Sequence, residues 1–148
     1  KDPRNLWHEW LRKRLSMTLP DGLGRIRFLP WLNDDDFKSM MIAADVVLDT
    51  FPYGGGVTSY IILATGAPIV TWPGKYLRGR LTLGCYRKMG IMECVAESPR
   101  EYVDVALRLG TDRNCRESIK EKILDKNATL YDDEGMVKEL SDFFKEVT

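Results

Sequence analysis

Three consecutive glycines, Gly54, Gly55 and Gly56, are followed at once by Val57, Thr58 and Ser59. Glycine lets a backbone come close to a ligand, and unused N–H groups at the positive end of a helix attract anions, phosphate above all. Thr58 and Ser59 would add hydroxyl donors. The same run also reads as a permissive loop in which Thr58 or Ser59 caps the helix, because it matches neither G-x-G-x-x-G nor a Walker A pattern with its lysine. A second cluster, Lys75, Arg78 and Arg80, follows Pro73-Gly74. These cations either pair with an anionic ligand or form a solvated helix face, with Arg80 bonding a neighbouring loop. Asp34, Asp35 and Asp36 read as helix-start charges rather than metal ligands or a catalytic dyad.

Other chemistries have less to build on. His8 is the single histidine, which excludes a site of several His ligands and leaves a Ser-His-Asp or Cys-His arrangement only one base. It falls in an amphipathic helix pattern, Leu6 to Leu11, and reads as a structural or surface residue. Cys85, Cys94 and Cys115 are odd in number and lack C-x-x-C spacing. Neither a disulfide framework nor a zinc ribbon fits them, and they read as reduced, mostly buried thiols.

The elements that must position these residues alternate. A helix is expected over Arg4 to Leu19, with Leu6, Trp7, Trp10, Leu11 and Leu15 on one side, ended by Pro20-Asp21-Gly22. Ile26 to Leu29 reads as a buried strand, and Asn33 as the N-cap of a helix carrying Phe37, Met40, Met41 and Ala44 at i, i+3, i+4, i+7. Val46 to Leu48 is the apolar run of a strand covered on both faces, Thr50 to Gly56 its loop, and Val57 to Thr65 a helix closed by Gly66. Pro68 to Trp72 is a third strand, Leu77 to Met89 a helix ended by Gly90, and Met92 to Val95 a fourth short strand. Ser98-Pro99-Arg100-Glu101 is a capping box with Pro at N1. Helices follow over Pro99 to Leu109, Asp112 to Lys126 and Asp133 to Val147, the last with Met136, Val137, Leu140, Phe143, Phe144 and Val147 in register. This order predicts an α/β fold, a Rossmann-like parallel sheet layered with helices and a helical C-terminal end. In such sheets ligands bind beyond the carboxyl ends of the strands, which singles out the loops Pro30 to Asn33, Thr50 to Gly56 and Pro73 to Gly79.

With 148 residues and 22 Lys+Arg against 22 Asp+Glu, the net charge is zero. That argues against a nucleic-acid partner held by net positive charge. No apolar run approaches the roughly 18 to 20 residues that cross a bilayer, so no membrane partner is expected and a cytoplasmic location is. One domain is expected over residues 1–148, with 112–148 as a helical extension packing on it. The first residue is not Met, and the pattern opens on a helix, so a piece of a longer chain is expected.

Several blocks, in order, resemble the bacterial O-linked N-acetylglucosamine transferase/SPINDLY family. They are Ile26 to Trp31, Ala44 to Gly56, Pro68 to Gly74, Leu77 to Arg80, Tyr86 to Ile91, Glu101-Tyr102 and Leu109 to Asp112. The resemblance implies the C-terminal half of a GT-B glycosyltransferase catalytic region, the domain that holds the nucleotide of a sugar donor, usually UDP-N-acetylglucosamine. It implies that Leu32 offers its backbone to the uracil and that Gly55, Gly56, Val57 and Thr58 face the diphosphate. Gly54 and Ser59 belong to the same loop and first turn, and Arg78 and Arg80 would meet charge on the leaving diphosphate. No metal or other cofactor is required. The protein acceptor would be bound through upstream domains, and a homodimer is left open.

The chain also departs from the family's pattern. Ile61 stands where the pattern places an acidic residue on the ribose hydroxyls, a loss worth about 1 to 3 kcal/mol of nucleotide binding. Val57 stands where Asn or Thr is usual, and Asp34, Phe37 and Met40 replace nucleotide-contacting basic, His and Arg side chains of the animal enzymes. A rival follows, for which Ile61 and Val57 are the best evidence: a non-catalytic transferase half serving as an interaction or dimerisation module, with Trp7, Trp10 and Trp31 as contact surface.

Overall fold

The computed structural model describes residues 3–147, which form two compact units, one up to Asp34 and one from Asp35 onward. The first holds helix α1 (Pro3–Thr18), a 3-10 turn (Pro20–Arg25) and an extended segment to residue 33. Trp7 and Trp10 of α1 are well exposed and meet edge to face, and Trp31 is exposed as well. The side chain of Leu6 lies outside the described set.

The strand expected at Ile26 to Leu29 does not form. Ile26 and Phe28 are half-buried while Arg27 and Leu29 are exposed, a period of two with no ladder partner among the described residues. Phe28 instead packs beneath α1, with the His8 ring 5.6 Å and the Arg12 guanidinium 5.2 Å from its centroid. His8 is thus a packing residue, as its pattern suggested.

The second unit is helix-rich around a small parallel sheet. It contains α2 (Asp34–Ala43, beginning one residue earlier), β1 (Val47–Leu48), α3 (Val57–Ala64), β2 (Ile69–Val70), a 3-10 turn (Leu77–Gly79) and α4 (Leu81–Met89). Then come α5 (Pro99–Thr111), α6 (Arg113–Lys126), a 3-10 turn (Asn127–Leu130) and α7 (Glu134–Val147). β1 and β2 pair in parallel with Val47 opposite Ile69 and Leu48 opposite Val70, so β1, α3 and β2 form a strand–helix–strand unit. The core gathers Ile62 and Leu63 of α3, Ile69 and Val70 of β2, Tyr86 and Met89 of α4, Leu109 of α5, and Ile119 and Ile123 of α6. Gly66 closes α3 at φ +81°, and a Cβ there would lie 2.8 Å from Leu124, so both conformation and space require glycine.

Two strand expectations need correction. Leu48 is 52% exposed, so β1 is not covered on both faces; among the described residues it pairs with β2 alone. Met92 to Val95 gives no fourth strand but a single bridge, Thr71 with Val95. The reason lies in Tyr86. In a parallel ladder alternate residues of a strand bond to opposite neighbours. Pro68 and Val70 carbonyls accept the N–H groups of Val47 and Asp49 from β1, at 2.8 and 2.9 Å. Ile69 and Thr71 face the other way, where the Thr71 N–H donates to Cys94 O and its carbonyl accepts from the Ala96 N–H. At Ile69 the place of a strand is taken by the Tyr86 hydroxyl, which accepts the Ile69 N–H at 2.8 Å and donates to the Ile69 carbonyl at 2.9 Å.

The helix boundaries follow their caps. Ser98 Oγ accepts the Glu101 N–H, but Glu101 Oε2 reaches back to the Glu97 N–H, one residue earlier than the expected box. Asp112 caps α6 through the Cys115 N–H. Of the helical end, α6 buries Ile119 and Ile123 in the core, whereas α7 buries no residue and leaves Met136, Val137, Leu140, Phe143, Phe144 and Val147 exposed.

All three cysteines are free, and Cys85 and Cys94 are buried. Burial pushes the Cys94 thiol up to about 11. A group whose ionisation is harder in the folded than in the unfolded chain stabilises the fold fully below its unfolded pKa and stops doing so as pH rises through the folded one. Melting temperature is therefore expected to fall between about pH 9 and 11, by the equivalent of about 2 to 3 kcal/mol from this thiol. A Cys94→Ala variant should show a visibly flatter profile over that window in thermal melts. An unchanged slope would remove Cys94 as the cause.

Candidate functional site

β1 and β2 end side by side, and a cleft of about 280 Å³ opens at their carboxyl ends, lined by Leu48, Asp49, Thr50, Phe51, Trp72 and Tyr102. The Phe51 and Trp72 rings stack there, 4.3 Å between centroids and 18° between planes. The glycine loop leaves this edge. Its shape is set by hydrogen bonds within the protein: the Gly54 N–H donates to Arg78 O at 2.9 Å and the Gly55 N–H to Asp49 Oδ1 at 2.7 Å. A Cβ at Gly54 would stand 2.9 Å from an Asp49 carboxylate oxygen, and one at Gly55 would run into Ser59 Oγ. These two glycines are therefore demanded by the loop's closure on its own protein, whereas Gly56 has ordinary van der Waals room.

Ser59 Oγ and Thr82 Oγ1, both buried, share a hydrogen bond of 2.9 Å. Ser59 is the third residue of α3 and Thr82 the second of α4, so this bond draws the first turns of two helices together. Neither helix has a side-chain cap. At α3 the N–H groups of Gly56, Val57 and Thr58 find no acceptor among the described residues, and the exposed Thr58 hydroxyl makes no bond there either. First-turn donors concentrate the positive end of the helix dipole, and two adjacent helix starts add their fields.

The cationic loop is tied to the glycine loop. The Gly74 N–H donates to Gly79 O, Arg80 Nη1 donates to Gly74 O at 3.1 Å, and Gly79 lies so close to the Pro52 carbonyl that a Cβ would stand 2.9 Å from it. Arg80 thus closes its own loop back on Gly74, where the sequence reading had it bond a neighbouring loop. Arg78 is exposed, its guanidinium 5.0 Å from the Tyr76 ring centroid and in no ion pair among the described residues. Of the singled-out residues, Gly54 to Ser59, Arg78 and Arg80 share this edge of the second unit. Leu32 is half-buried and belongs to the first unit.

Ile61 faces elsewhere, into an apolar groove of about 380 Å³ with Ile42, Tyr60, Ala64 and Tyr131, where no carboxylate is available. No group of three or more His, Cys, Asp or Glu placed to hold a metal occurs among the described residues, nor a helix long and apolar enough to cross a membrane. Sequence reasoning passed over Asp49, Thr71, Thr82 and Tyr102. The signal for Asp49 was its position, an acidic residue directly after an apolar strand and five before the first glycine.

A strand–helix–strand unit with unused N–H groups where its strands end is an α/β arrangement. Residues 24–140 match glycosyl transferase family 41, and the chain belongs to that family. It is similar to the UDP-N-acetylglucosamine–peptide N-acetylglucosaminyltransferase of Caenorhabditis elegans, 38% identical over 91 residues, which are 60% of this chain and 8% of that protein. A probable enzyme of the same description, SPINDLY of Hordeum vulgare, is 32% identical over 118 residues, 76% of this chain and 12% of its own length. Among solved structures, a mutant of the Thermobaculum terrenum O-GlcNAc transferase superposes with a TM-score of 0.77 at 32% identity, covering 91% of this chain and 27% of that one. The chain thus spans about a tenth of these two relatives and about a quarter of the solved chain. The resemblance seen in the sequence, to O-linked N-acetylglucosamine transferases and SPINDLY, is borne out.

Proposed function

We propose that the chain is the Rossmann-like, nucleotide-binding C-terminal domain of a GT-B glycosyltransferase, which binds the UDP of a sugar donor for transfer to a protein acceptor. One observation carries this reading. The paired first turns of α3 and α4, joined through Ser59 and Thr82, leave the Gly56, Val57 and Thr58 N–H groups unused beyond the end of β1. A diphosphate fits that demand for charge and acceptors. The relatives' names supply the donor, UDP-N-acetylglucosamine, and the peptide acceptor.

As the bond from sugar to diphosphate breaks, negative charge grows on the departing phosphate. Fixed N–H donors and two helix ends stabilise that charge without reorganising, and Arg78 adds a mobile cation from the adjoining loop. The Thr58 hydroxyl donates from the first turn of α3. The acceptor site belongs to other parts of a longer protein, as does activation of the attacking hydroxyl.

Titrating the full chain with UDP while following amide NMR shifts tests this reading. Shifts are expected to saturate at Gly54 to Ser59, and Thr58→Ala should weaken binding about 3- to 10-fold, the equivalent of one hydrogen bond to a charged group. Silence of these amides at millimolar UDP would contradict donor binding by this chain. The alternative, a non-catalytic half kept as an interaction module, is favoured by one feature, the setting of Ile61, which offers a ribose no carboxylate. A silent titration would favour it.

A further inference from the structure

Asp49 is the first residue after β1, and its polar atoms are committed within the protein. Its N–H donates to Val70 O at 2.9 Å, and its carbonyl accepts the Tyr102 hydroxyl at 2.8 Å. Of its carboxylate oxygens, Oδ1 accepts the Gly55 N–H at 2.7 Å and Oδ2 the Thr71 hydroxyl at 2.8 Å. The side chain therefore spans from the strand pair to the middle of the glycine loop. Gly54 makes room for it, since any Cβ there would crowd both carboxylate oxygens. A carboxylate in the path of a diphosphate would repel it; both oxygens of this one are engaged within the protein, Oδ1 by the Gly55 N–H and Oδ2 by the Thr71 hydroxyl.

We propose that Asp49 is the positioning residue of the diphosphate loop: by clamping Gly55 to the sheet it fixes the direction in which Gly56, Val57 and Thr58 present their N–H groups. The proposal rests on the donor-binding reading above. The clamp works through geometry and not through charge, and this makes the amide a suitable replacement. In Asp49→Asn the amide oxygen accepts from Gly55, and the NH₂ donates to the Thr71 hydroxyl, which can accept as well as donate. Asp49→Ala has neither.

The test compares the full chain with Asp49→Asn and Asp49→Ala by UDP titration and by exchange of the Gly55 amide without ligand. Asp49→Asn is expected within about threefold of the parent in UDP affinity, and Asp49→Ala about tenfold weaker or worse. Gly55 exchange should quicken in the alanine variant alone. Two results would overturn the proposal: an asparagine variant as weak as alanine, which would assign the effect to charge, or a folded alanine variant that binds UDP like the parent. If the parent itself ignores UDP, the donor reading fails separately, and Gly55 exchange still reports whether the clamp exists. Should Asp49→Ala not fold, Thr71→Val removes one of the two carboxylate partners, and UDP affinity and Gly55 exchange should move the same way by a smaller factor; no movement in either would count against the clamp.

Discussion

Tyr86→Phe is expected to destabilise the fold by about 3 to 5 kcal/mol, a large loss for the removal of one oxygen. The Tyr86 side chain is fully buried, and its hydroxyl is the partner of both the N–H and the carbonyl of Ile69, on the side of β2 turned away from β1. Phenylalanine fills the same space. It leaves a donor and an acceptor in the core without partners, at about 1 to 3 kcal/mol each. Chemical denaturation of parent and variant would measure the loss, with the slope on denaturant unchanged if only stability is affected. A change below about 1 kcal/mol would mean that water or a shifted strand meets Ile69, and the account of the missing fourth strand would fail with it.

Gly79→Ala is expected to damage stability and ligand binding together. The added methyl meets the Pro52 carbonyl at 2.9 Å and the Gly74 N at 3.3 Å, both backbone atoms that cannot swing aside as a flexible side chain would. Relief requires the 50s and 70s loops to part, which stretches the Gly54 N–H bond to Arg78 O and the Gly74 bond to Gly79 O. Overpacking of this kind costs about 1 to 3 kcal/mol, and two weakened hydrogen bonds bring the expected loss to about 3 kcal/mol. Because Gly54 leads into the donor loop, UDP affinity should fall by more than tenfold in the variant that remains folded. A variant that melts early yet binds UDP normally would uncouple the two loops.

Helices were legible because their boundaries are written locally. Ser98 and Asp112 cap the helices that follow them, and Gly66 and Gly90 adopt the positive φ that ends the helices before them. Strands were over-read for a nonlocal reason. A short, mostly apolar run fixes neither its burial nor its partner, and the partner decides: Phe28 finds α1, and Ile69 finds a tyrosine hydroxyl seventeen residues away in sequence. The candidate site was half legible. The glycines and the following hydroxyls marked its place, but types alone could not separate Thr58, exposed and unengaged, from Ser59, whose hydroxyl is buried against Thr82. Nor did they show that Gly54 and Gly55 answer to Asp49 and Ser59 on the protein side of the loop.

The far end of α3 is tethered as firmly as its beginning. Asn127 Nδ2 donates to Leu63 O at 3.0 Å, and the Tyr131 hydroxyl donates to Tyr60 O at 2.7 Å. The segment that follows α6 therefore bolts both the middle and the last turn of the helix whose first turn carries the unused donors. Beyond Tyr131, α7 contributes no buried residue. Asp133 still reaches back to pair with Lys88 of α4, so the unit is latched up to the start of α7, and the apolar stripe beyond that latch adds no buried residue to its core.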